Sequence, residues 1–185
     1  MHQQLYGHTT RSIVILHGLG GIGKTQLTIA YTKRHKDKYT AIFWMNASDE
    51  DYLKLSFRGA AQKILNDHPT TSGLAGVDLE ADLDSVVHAV NAWLSTPKNV
   101  RWLMIFDNYD NPKLPGITDH LAMDIRGFLP TADHGSMIIT TRSAQVRLGR
   151  RIQVRKLQDI RDSLEILSNT SRRERITEGM LLDPT

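Results

Sequence analysis

The sequence predicts an α/β fold, three layers thick, with a mainly parallel five-stranded sheet in the middle. Three observations carry that expectation. Short apolar runs alternate with helical patterns along the chain. Most of the runs are continuous rather than alternating, as strands covered on both faces require. A glycine-rich turn, Gly18-Leu19-Gly20-Gly21-Ile22-Gly23-Lys24-Thr25, joins the first apolar run to the first helical pattern. Strand, turn and helix in that order form the context in which G-x-x-x-x-G-K-[ST] cradles phosphate.

Each element has its own warrant. The expected strands are Ser12–His17, Thr40–Met45, Arg101–Asp107, Ser136–Thr141 and Arg150–Val154. The expected helix Lys24–His35 follows the glycine-rich turn. Asp49–Asn66 is expected as a helix capped by Ser48, with an acid, Asp51, three residues on. Leu79, Leu83, Val86, Val90 and Trp93 recur at helical spacing and predict a helix over Leu79–Ser95. Ile160, Leu164 and Leu167 do the same for Asp159–Ser168. Pro69, Gly73 and Gly76 mark Asp67–Asp78 as a mobile surface loop. Trp44, Trp93 and Trp102 sit in apolar segments and are expected in the core.

Composition bounds the function. The 185 residues suit one domain, with 40% hydrophobic and 23% charged residues. There are no cysteines, which excludes disulfides, thiolate metal sites and cysteine nucleophiles. No apolar run reaches the ~20 residues of a membrane span, and a cytoplasmic location is expected. The eight histidines show no zinc-binding spacing. The net charge of +3 does not argue for nucleic acid, although Arg142, Arg147, Arg150, Arg151, Arg155, Lys156 and Arg161 crowd the C-terminal third.

Three segments carry chemistry. In the first, Gly18 to Thr25 and the following Gln26 are the expected nucleotide contacts. Backbone N–H groups face the phosphates, the helix N-terminus adds its dipole, and Lys24 reaches the β- and γ-phosphates. The hydroxyl of Thr25 is suited to Mg²⁺. In the second, Trp102-Leu103-Met104-Ile105-Phe106-Asp107 brings a carboxylate to a strand end, where Asp107 would join Thr25 at the metal. A second acid often follows there to activate water, but this chain has Asn108. Asp110 is the nearest spare carboxylate, so Asp110 is expected to position water with help from Asn108. In the third, Met137-Ile138-Ile139-Thr140-Thr141 ends at Arg142, expected to sense the γ-phosphate. The expected fold class is therefore a three-layer P-loop NTPase, with a nucleotide polyphosphate and Mg²⁺ expected at the loop.

With those motifs in hand, the chain resembles the NB-ARC nucleotide-binding domain of STAND-class signalling ATPases. Phe43-Trp44-Met45-Asn46-Ala47-Ser48 and Phe106-Asp107-Asn108-Tyr109-Asp110 resemble filamentous-fungal NOD-like receptors of the NB-ARC/tetratricopeptide type. The resemblance implies tight ADP binding at rest, exchange for ATP, and assembly into oligomers that signal in innate immunity and programmed cell death; slow hydrolysis is expected with Asn108 in place of the second acid. It divides the chain into a nucleotide-binding domain over 1–156 and the start of a helical subdomain over 157–185. The other receptor domains would lie outside this chain. Leu5, Tyr6 and His8 are weak substitutes for the family's adenine-holding segment, so weaker binding than in an intact receptor is expected. Two other readings remain open at this point, a small-molecule or nucleoside kinase and a nucleic-acid-stimulated motor ATPase.

Overall fold

The computed structural model describes residues 1, 5, 10–69, 73–80, 82–114, 116 and 119–155. Among the described residues eight strands and α-helices follow one another: β1 (Ser12–His17), α1 (Lys24–His35), β2 (Ala41–Asn46), α2 (Glu50–Asp67), α3 (Leu83–Leu94), β3 (Trp102–Asp107), β4 (Ser136–Thr141) and β5 (Arg150–Gln153). The strands form one five-stranded sheet in the order β2-β3-β4-β1-β5. Every pairing in it is parallel. The chain from Met1 to Val154 forms one compact unit. The expected helix Asp159–Ser168 lies outside the described residues.

Side chains alternate across the sheet and build two separate cores. Ile15, Met104, Phe106, Met137 and Ile139 point to one face, where they pack with Leu53, Phe57 and Ile64 of α2 and Val86, Val90 and Leu94 of α3. Val14, Leu16, Leu103, Ile105 and Ile138 point to the other, with Tyr31 of α1. β3 and β4 are buried along their whole length. This is why both read as unbroken apolar runs. Burial of each Ile, Leu or Phe contributes roughly 1.5–3 kcal/mol.

Several details differ from the sequence reading. The cap of α2 is Asp49, whose Oδ1 accepts the Tyr52 N–H at 2.9 Å. Ser48 instead donates its hydroxyl to Asp49 Oδ2. A carboxylate also complements the helix dipole better than a hydroxyl. α3 starts at Leu83, because Asp82 takes the Ser85 N–H and caps it. Leu79 falls in the preceding turn, where Asp78 accepts the Glu80 N–H. The segment read as a mobile loop carries Leu74, which is completely buried in the core beneath α2 and α3. Trp102 is buried and donates its indole N–H to Leu94 O, whereas Trp44 on the edge strand β2 is 39% exposed. An edge strand lacks the neighbour that would cover that ring.

Candidate functional site

Strand order decides which residues meet. β1, β3 and β4 are parallel, with β4 between the other two, so the chain leaves all three side by side at one end of the sheet. Thr140 of β4 is level with Leu16 of β1, and Ile139 with Phe106 of β3. The turn after β1, Asp107 at the end of β3 and Arg142 after β4 therefore share one end. This is where parallel α/β sheets bind ligands.

The turn folds into a concave loop at the start of α1. Gly21 and Gly23 have φ of 70° and 95°, left-handed values that side-chain-bearing residues rarely adopt. Gly23 occupies the N-cap position of α1, and no side chain caps that helix. Its first amides are thus available to an anion. Lys24 is buried, and its Nζ donates to the carbonyls of Gly18 (3.0 Å) and Leu19 (2.9 Å). The ammonium is thereby held across the mouth of the loop.

Beneath the loop, Thr25 donates its hydroxyl to Asp107, at 3.0 Å from Oδ1 and 3.3 Å from Oδ2. Asp107 is itself buried. The second donor to its Oδ1 is the hydroxyl of Thr140, at 2.6 Å. Thr140 in turn accepts the backbone N–H of Asn108 at 3.0 Å. One buried hydroxyl thus fixes both the carboxylate and the start of the following loop. The sequence reading assigned Thr140 no role. The available signal was a pair of threonines closing an otherwise apolar strand, but its use depends on β4 lying next to β3.

Asn108 adopts φ of 65°, the left-handed region that asparagine tolerates better than most residues. The bend lets the chain turn back over the end of the sheet, where Tyr109 donates its N–H to Thr140 O at 2.9 Å. Asp110 faces Arg142. Its Oδ2 lies 2.7 Å from Arg142 Nε, and its Oδ1 accepts the Arg142 N–H at 2.7 Å.

These parts surround a cleft of about 220 Å³, lined by Gly20 to Gln26 together with Asn108, Asp110 and Arg142. Gly18 and Leu19 are outside the lining, and Leu19 is 75% exposed. Leu5, considered for the adenine side, is instead buried against Val14, Leu16 and Tyr31. Its carbonyl accepts the Ser136 hydroxyl. Tyr6 and His8 lie outside the described residues. His17, at the end of β1, has its pKa lowered below 6.5, first by burial and then by the charges of Arg151 and Arg147. Neutral imidazole is the form this environment favours. Among the described residues no helix is long and apolar enough to cross a membrane.

No family model matches the chain. The chain is similar to a nucleotide-binding leucine-rich repeat (NLR)-like protein of Hyaloscypha variabilis, at 24% identity over 169 residues. The match covers 85% of this chain and 16% of that protein. The likeness supports a distant NLR-like relationship, and the chain spans only a small part of the relative it matches.

Proposed function

We propose that the chain is the nucleotide-binding portion of an NLR-type signalling switch, with a P-loop NTPase fold of the NB-ARC kind, taking ADP or ATP with Mg²⁺. The observation that carries this reading is one cleft lined by uncapped helix amides, Lys24 and Thr25, with the buried Asp107 hydrogen-bonded to Thr25 from beneath. The donor set fits the ligand. Amides from Gly20 to Gln26 and the Lys24 ammonium suit a polyphosphate, which bears several anionic oxygens. Thr25 and Asp107 offer a hydroxyl and a carboxylate, hard oxygen ligands of the kind Mg²⁺ takes alongside phosphates and water. When bound, the metal would neutralise phosphate charge.

The residues of the chain divide the work. The loop holds and orients the phosphates. Thr140 keeps the Asp107 carboxylate in place. Asn108 stands where a second acid would take a proton from water; an amide orients water but is a poor base. Slow hydrolysis follows, which suits a switch whose output is conformation. In that reading, exchange of ADP for ATP changes the shape of a longer receptor and its tendency to assemble, with signalling in immunity or cell death as the output. Analysis of the nucleotide released from the purified chain by heat tests the proposal. Bound ADP or ATP is expected; an empty chain that also takes up neither in a titration overturns it.

A further inference from the structure

Asp110 turns both carboxylate oxygens to a single residue. One pairs with Arg142 Nε and the other accepts the Arg142 backbone N–H, each at 2.7 Å. The two residues follow different strands, β3 and β4, so the contact ties two loops of the cleft together. It also fixes where the guanidinium lies. A Cβ added to Gly20 would meet Arg142 Cζ at 3.4 Å and Nε at 3.5 Å. The guanidinium therefore rests on the phosphate loop. Among the described residues Asp110 is its one carboxylate partner, and the Arg142 side chain is 68% exposed. An exposed arginine without such an anchor would sample many rotamers.

We propose that Asp110 is a positioning residue, which anchors Arg142 over Gly20 so that its terminal nitrogens meet the last phosphate of a bound triphosphate. Asp110 thereby sets the preference of the site for ATP over ADP. This inference rests on the nucleotide-binding reading above and deepens it. It assigns Asp110 a role through Arg142 in place of the expected role on water. The selectivity arises because only the triphosphate gains the contact, and a ligand shifts a two-state protein only by its differential affinity. Anchoring lowers the ordering entropy that this contact would otherwise lose on binding.

The test is calorimetric titration of ADP and of the non-hydrolysable triphosphate AMP-PNP, both with Mg²⁺. The proteins are the unaltered chain, Asp110→Ala, Asp110→Asn, Arg142→Ala and the double alanine variant. In Asp110→Ala the ratio of triphosphate to diphosphate affinity is expected to fall about tenfold, the size of one hydrogen bond to a charged group. Arg142→Ala and the double variant are expected to show the same reduced ratio. Asp110→Asn keeps an acceptor for the Arg142 N–H and retains part of the preference, whereas a group that acted only on water would leave the binding ratio unchanged in both Asp110 variants. A ratio unchanged within twofold in both Asp110 variants overturns the proposal. So do effects of Asp110→Ala and Arg142→Ala that simply add. An unaltered chain that binds neither nucleotide overturns the reading of the site itself, a failure seen before any variant is compared.

Discussion

Replacing Thr140 with valine removes one hydroxyl and almost no volume. In the structure that hydroxyl is buried, donates to Asp107 Oδ1 at 2.6 Å and accepts the Asn108 N–H at 3.0 Å. Loss of a hydrogen bond to a charged group removes ~1.5–3 kcal/mol. The Asn108 N–H, only partly buried, loses its partner at a further penalty of about 1 kcal/mol. Together these give a destabilisation of roughly 3 kcal/mol, or about 6–12 °C in Tm for a chain of this size. Urea unfolding of the unaltered chain, Thr140→Val and Thr140→Ser provides the assay. Serine keeps the hydroxyl and is expected to lose only the methyl contribution, about 1 kcal/mol. A valine variant within about 0.5 kcal/mol of the parent, a shift typical of surface changes, would refute the view that Thr140 braces the Asp107 carboxylate.

Other outcomes follow from the same geometry. The folded-state pKa of His17 lies below its ordinary 6.5, so its contribution to stability is present above pH 6.5 and is lost as pH falls through the lower folded value. The slope of Tm against pH in that window should flatten in His17→Gln, and NMR titration should show the His17 pKa rising in Arg151→Gln. Gly23→Ala meets no atom within 4 Å, so its penalty is confined to the left-handed backbone. A loss of ~1–2 kcal/mol is expected by urea unfolding, with weaker nucleotide binding as the amide rotates. Trp102→Ala empties a fully buried site and removes the bond to Leu94 O. Its urea midpoint should fall by the equivalent of ~3–5 kcal/mol.

Much of the architecture was legible because local pattern and burial agree. β3 and β4 read as continuous apolar runs because both of their faces are covered. The glycine-rich turn named itself, since Gly21 and Gly23 hold backbone angles that few other residues accept. What stayed hidden depends on strand order. Nothing in the sequence puts β4 between β1 and β3, and that placement is what turns Thr140 toward Asp107 and Asp110 toward Arg142. Edge effects were also hidden. Trp44 sits in an apolar run but is partly exposed on β2, because position in the sheet outweighs composition. Leu74 shows the converse, a core residue set among turn-forming neighbours.

The most direct measurement is calorimetric titration of Mg²⁺–ADP and Mg²⁺–ATP into the unaltered chain and into Lys24→Ala. Lys24 is the buried ammonium that spans the loop mouth, bonded to Gly18 O and Leu19 O. The account predicts binding of one nucleotide per chain and a loss of roughly tenfold to a hundredfold in Lys24→Ala. No binding by the unaltered chain, or equal affinity in the two proteins, contradicts it.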